Sequence, residues 1–316
     1  MPDKKIITVF GATGAQGGGL ARAILNDKNS EFSVRAVTRD ANSDKAKELE
    51  KLGAEIVTAD IDNPDSMKKA LAGAYGAYFV TFFWNHFSAE KETEEAKNMA
   101  AAAKDAGLKH VIWSTLEDTR ILVPLDDDRM PTLKEKYKVP HFDGKGEADH
   151  FFTDARLPVT FLIASFYWDN LIYFGMGPKK DGNGKYAFTL PMGKEKMAGI
   201  ASEDIGKTAY GIFKKGTNLA AKRIGVAGDQ LTGDEMADKL SKALDKEVYY
   251  NEITPEIYRG FGFPGADDLG NMFQIYRDFA DECNGIRNVK YSKELNPELQ
   301  SFEMWLAENA KKIPLD

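Results

Sequence analysis

Short unbroken apolar runs alternate along this chain with stretches whose apolar residues recur every three or four positions. That is the pattern of parallel strands covered on both faces and of the amphipathic helices that connect them. Ile6, Ile7, Val9 and Phe10 form the first run, and Leu20, Ala21, Ile24 and Leu25 recur at helical spacing after it. The same reading predicts strands at 32–38, 55–58, 75–81, 110–114 and 158–163, with helices at 43–52, after Asn63-Pro64, at 90–106 and at 147–153. Pro64 sits at an early helical position, and Asp62 ahead of it is an expected cap.

After residue 165 the alternation becomes less regular. Residues 176–185, MGPKKDGNGK, read as a hairpin loop. Helices are expected at 200–214, 232–244, 255–261, 267–281 and 299–310, and strands at 222–226 and 248–253. Thr232 and Glu235 stand at capping-box spacing. The predicted fold class is α/β, a Rossmann-type doubly wound parallel sheet with a smaller C-terminal α+β domain. The first domain is placed at 1–155, with strand 158–163 returning to its sheet, and most of 165–316 is placed in the second, expected to close a cleft over the first.

The chemistry begins where the first strand gives way to the first helix. Gly11, Gly14 and Gly17 punctuate that turn at the spacing GxxGxxG. Glycine there permits a sharp turn, a close backbone approach to a pyrophosphate and tight packing of the helix on the sheet. The free N–H groups of the helix would face the anion. Gly11, Thr13, Gly14, Ala15, Gln16 and Gly17 are therefore candidate dinucleotide contacts. At the end of the second strand an acidic residue would hold a ribose 2′-hydroxyl, whereas an arginine accommodates a 2′-phosphate. The residue is Arg39, with Lys45 downstream, so NADP(H) is expected in preference to NAD(H). Asp60, with Ile61 beside it, is a candidate adenine contact after the third strand. Thr81, Phe82, Phe83 and Trp84 follow the fourth strand at the carboxyl edge, where ligands of open α/β sheets bind.

Composition narrows the partners. The 316 residues carry 42 Lys and Arg against 49 Asp and Glu, a net charge of -7, which argues against a general nucleic-acid surface. No apolar run approaches a membrane span of roughly 20 residues. The single cysteine, Cys283, excludes an internal disulfide, and with a charged N-terminus a reduced, cytoplasmic or also nuclear protein is expected. The histidines show no metal-ligand spacing, so no metal site is expected.

GATGAQGGGL at the first turn, VTR at the second strand end, VTFFW after the fourth, HFDGKGE at 141–147, SFYWDNL at 165–171 and GFPGADDLGNMF at 262–273 together resemble the NmrA-like family. This is an atypical branch of the short-chain dehydrogenase/reductase superfamily. The resemblance implies NADP(H) binding reported to regulatory protein partners, with a homodimer as a candidate assembly. It also places residues 11–17, Arg39, Trp84, Lys145, Tyr167, Trp168 and Asn170 along the cofactor. Typical short-chain reductases pair a proton-donating Tyr with a Lys four residues on. Here Lys145 is present, but His141 stands in place of the Tyr. An imidazole can transfer a proton near neutrality, and Ser114-Thr115 offers hydroxyls after the fifth strand. With the Tyr replaced, the expected function is a redox sensor without efficient hydride transfer; related isoflavone-reductase-like enzymes also lack the Tyr and use a Lys, so the alternative is a reductase of a small carbonyl or enone using Lys145. His141 and Lys145 are the candidate catalytic residues.

Overall fold

A computed structural model of the chain describes residues 4–315. The described residues divide into two compact units, one of 4–118, 144–164 and 202–224, the other of 119–143, 165–201 and 225–315. The first unit runs β1 (Lys5–Val9), α1 (Ala15–Asn26), β2 (Phe32–Thr38), α2 (Asp44–Lys51), β3 (Glu55–Thr58), α3 (Pro64–Leu71), β4 (Gly76–Phe79), α4 (Ala89–Asp105), β5 (His110–Thr115), most of α5 (Pro140–Asp154) and β6 (Val159–Ile163). Helix Ser202–Lys215 and the edge strand Arg223–Gly225 complete it. The sheet order is Arg223–Gly225, β6, β5, β4, β1, β2, β3. β1 pairs parallel with both β2 and β4, so the strand order reverses beside the glycine turn.

The doubly wound sheet expected from the alternation is therefore present. Its core is built from Phe10, Phe79, Trp113, Phe152 and Phe161, with the Trp113 and Phe152 rings stacked 5.1 Å apart. Several boundaries depart from the sequence reading: residues 119–143, read as part of the first domain, fall in the second unit, and the helix read at 147–153 begins at Pro140. β4 ends at Phe79, which leaves Thr81 in the loop beyond it. The cap of α3 is Asn63, which accepts from the Ser66 N–H at 3.1 Å, while Asp62 instead pairs with Lys91 at 2.6 Å. Residues 202–224, assigned by chain order to the C-terminal domain, fold with the first unit.

Helix Ser202–Lys215 packs on α1 through glycines. A Cβ on Gly206 would lie 2.2 Å from Gln16 O and from Leu20 N, and one on Gly19 would lie 2.3 Å from Glu203 O. Only hydrogen at these positions lets the two backbones come this close.

β5 opens on His110, which is fully buried against Phe213 with ring centroids 4.9 Å apart. Neither ring nitrogen has a hydrogen-bond partner among the described residues, and burial pushes its pKa down from 6.5 to about 4. The unfolded chain then binds the proton more readily than the folded one. Stability carried by neutral His110 is full above 6.5 and is lost as pH falls toward 4, by ~3 kcal/mol if the whole shift is realised. Urea unfolding at pH 7 and pH 5 should show this loss in the wild type, and His110→Leu should remove about one proton from the slope.

The second unit holds two three-stranded sheets, one ordered Asp229–Leu231, Met197–Ile200, Phe166–Tyr167 and the other Val248–Glu252, Tyr186–Leu190, Lys179–Lys180. The expected hairpin at 176–185 is the antiparallel pair Lys179–Lys180 with Tyr186–Leu190. Thr232 and Glu235 form the expected capping box of helix Gly233–Leu244. Helix Val289–Leu295 was not read from the sequence. Among the described residues no helix is long and apolar enough to cross a membrane.

Candidate functional site

The site of the first unit lies at the carboxyl ends of β1, β2, β4 and β5. Gly11 turns the chain out of β1 with φ +64°, a conformation that L side chains rarely adopt. A Cβ on Gly17 would fall 2.4 Å from Gly11 O, so α1 can begin against the end of β1 only with glycine there. Gly14 closes the loop: its N–H donates to Gly11 O at 2.8 Å, and a Cβ there would lie 3.1 Å from the same oxygen, closer than ordinary contact. The first-turn N–H groups of Ala15 and Gly17 have no carbonyl partner among the described residues, as helix geometry requires. Pointing out of the helix N-terminus, they form a ready anion cradle.

Gln16, the second residue of α1, is buried beneath that cradle. Its Oε1 accepts from the Tyr78 hydroxyl and, at 2.8 Å, from the Ser114 hydroxyl. The hydroxyl offered after β5 for orienting a carbonyl is therefore engaged inside the protein. Thr115 is likewise engaged, donating to Asp149 Oδ1 at 2.7 Å. Asp149 also accepts from Trp113 Nε1 at 2.9 Å and pairs with Arg223, yet burial raises its pKa.

Arg35 within β2 and Arg39 just after it separate cleanly by environment. Arg35 is buried, pairs with Glu55 at 2.7 Å and donates to the carbonyls of Ala70 and Ala72, a structural use. Arg39, just past the strand end, is exposed and makes no ion pair or hydrogen bond among the described residues. Asp40 beside it accepts the Asn42 N–H at 2.8 Å. The carboxylate that might have taken a ribose hydroxyl thus closes a turn, while the guanidinium remains uncommitted.

Beyond β3, Asp60 is exposed, takes the Ser66 hydroxyl on its N–H at 2.9 Å and accepts the Asp62 N–H, and Ile61 is half-buried next to it. Beyond β4, Phe82 is 51% exposed and Phe83 is buried edge-on to the half-buried Trp84 at 5.2 Å. Thr81 is buried, and its Oγ1 accepts from Lys145 Nζ at 2.6 Å. Lys145 also lies 3.1 Å from Glu92 Oε1 and 5.1 Å from the Trp113 ring centroid. Glu92, fully buried on α4, was not singled out in the sequence. One turn on, Glu95 has its pKa pushed up to about 7 by burial and by the charge of Glu92.

The remaining sequence candidates belong to the second unit. His141, standing where a proton donor is expected, places Nδ1 2.6 Å from Asp268 Oδ1, and Asp268 Oδ2 accepts the His141 N–H at 3.2 Å. Both side chains are buried. Tyr167 and Asn170 are half-buried, whereas Trp168 is only 1% exposed and packs on Phe302 and Trp305 at 5.2 and 6.2 Å. No cluster of three or more His, Cys, Asp and Glu suited to a metal occurs among the described residues.

Known proteins place this architecture. An NmrA-like family domain-containing protein of Dictyostelium discoideum is 28% identical over 96% of this chain and 97% of its own. The NmrA-like family domain-containing oxidoreductase FrzB of a Cladobotryum species is 30% identical over 85% of this chain and 82% of its own. Among solved structures, NmrA, a negative transcriptional regulator crystallised with NADP, superposes with a TM-score of 0.78 at 22% identity, covering 97% of this chain and 95% of that one. A Citrobacter triphenylmethane reductase complexed with NADP(H) superposes at 0.73 with 20% identity, covering 96% and 99%. With the family's pattern matched over residues 3–306, the chain belongs to the NmrA-like family.

Proposed function

We propose that this protein binds NADP(H) at the glycine turn of its first unit and reports cofactor occupancy to protein partners, with little or no hydride transfer of its own. The observation that carries this reading is that the hydroxyls after β5 are already engaged and no tyrosine stands four residues before Lys145. Ser114 donates to Gln16 and Thr115 to Asp149, and the tyrosine's position is taken by His141. A carbonyl accepting hydride without a positioned acid must build uncompensated oxyanion charge, which typically costs about 10²–10⁴ in rate.

The residues present fit the cofactor. The α1 N-terminus would take the pyrophosphate, the uncommitted Arg39 the 2′-phosphate, and Lys145 a ribose hydroxyl. When bound, the nicotinamide supplies hydride chemistry. The chain's own contribution is to hold and orient the cofactor. That the structural neighbour NmrA is a negative transcriptional regulator supports the sensor reading.

A second reading, reduction of a small carbonyl or enone with Lys145 as acid, is favoured by one observation: several relatives are named oxidoreductases. In that reading the buried Lys145 would donate the proton near the sheet's carboxyl edge.

Calorimetric titration tests the cofactor assignment. NADPH should bind more tightly than NADH, and Arg39→Ala should weaken NADPH alone by about 1–3 kcal/mol, the scale of a charge-assisted contact. Equal losses for both cofactors would remove Arg39 from the 2′-phosphate.

A further inference from the structure

Lys145 of α5 and Glu92 of α4 form a buried ion pair. Glu92 is fully buried on α4, and neither carboxylate oxygen meets hydrogen-bond geometry with any described residue. Its only ion-pair partner among the described residues is Lys145, whose Nζ is 3.1 Å from Oε1. Lys145 is itself 9% exposed, over the face of Trp113, with Thr81 Oγ1 accepting at 2.6 Å. A buried carboxylate and a buried ammonium each need a counter-ion, and here each is the other's.

Resting on the NADP(H) reading, we propose that Glu92 is a positioning residue that keeps Lys145 cationic and aims its Nζ, with Thr81, so that it can hold the cofactor by a charge-assisted hydrogen bond. Glu92 falls at a core-facing position of α4, in line with the buried Ala89, Ala96 and Met99. A polar residue held on an apolar stripe needs a partner, and Lys145 is that partner. The other charged groups around the pair are few. α4 also brings Glu95, which the charges of both Glu92 and Lys145 reach. α5 brings Asp149, whose carboxylate is occupied by Trp113, Thr115 and Arg223. Neither substitutes for Glu92 as the counter-ion at Nζ.

The test follows the charge of Lys145 directly. In protein carrying ¹³C-labelled lysine, the Lys145 Cε signal, assigned by its absence in Lys145→Met, is titrated with pH in Glu95→Gln and in Glu92→Gln/Glu95→Gln. Glu95→Gln removes the neighbouring carboxyl that titrates near 7. The expected result is that Lys145 loses its proton at clearly lower pH when Glu92 is Gln, and that Glu92→Asp largely restores the parent behaviour. NADPH titration of the same proteins gives the functional arm. Affinity should match the parent at pH 6 and fall about tenfold by pH 9 in the Glu92→Gln protein, while Lys145→Met binds weakly at every pH. A Cε titration unmoved by Glu92→Gln overturns the proposal even if NADPH binds normally. A shifted titration in a protein that binds no NADPH would uphold the pairing and overturn the cofactor role.

Discussion

Lys145→Met is expected to lower the unfolding free energy by about 3–5 kcal/mol, the cost of removing one partner from a buried ion pair. Methionine fills most of the volume of the lysine stem, so lost packing is a minor part of the effect. What remains is the Glu92 carboxylate, fully buried with no hydrogen bond to any described residue, now without its only counter-ion among them. The double variant Lys145→Met/Glu92→Leu removes both charges and should return to within ~1 kcal/mol of the wild type, because an apolar replacement of the whole pair is often neutral or stabilising. Urea unfolding of the three proteins at pH 7 checks this. A Lys145→Met loss below ~1 kcal/mol would mean that Glu92 is not held as a buried anion.

Gly206→Val should be nearly as damaging, through packing. Its Cβ would meet Gln16 O and Leu20 N at 2.2 Å, more than an ångström closer than ordinary contact, and both obstructing atoms are backbone. α1 must move as a body or helix Ser202–Lys215 must retreat, at a cost of about 3 kcal/mol, the upper end for overpacking. Of the two, α1 carries the candidate anion cradle at its N-terminus, and both obstructing atoms belong to it. NADPH affinity should therefore fall together with stability, although Gly206 belongs to none of the predicted cofactor contacts. Unfolding and NADPH titration on one preparation measure both, and an unchanged affinity beside a lost stability would separate the helix contact from the site.

The elements that the sequence made legible are those governed by local period and turn chemistry. The alternation from β1 to β6, the Gly11–Gly14–Gly17 turn and the Thr232–Glu235 capping box each arise within a few residues of chain. Gly206 could not be read in this way. Its requirement comes from Gln16 and Leu20, almost the length of the first unit away, and the same distant packing draws residues 202–224 into the first unit. Glu92 was partly legible. Four glutamates crowd the start of α4, but Glu92 alone of them lies on the stripe of Ala89, Ala96 and Met99, so helical period singles it out once its partner is sought. The sequence placed His141 where an acid belongs. Only the fold shows that Asp268, far along the chain, engages it.

The central claim is cofactor binding without efficient reduction, and one measurement addresses it most directly. NADPH oxidation is followed across a panel of small carbonyls and enones, with protein whose NADPH binding has been established on the same sample. The wild type should consume NADPH no faster than the protein-free control, and Lys145→Met/Glu92→Leu should give the same rate. Turnover of any substrate above the control would contradict the account, and its loss in Lys145→Met/Glu92→Leu at saturating NADPH would make Lys145 the acid of a reductase.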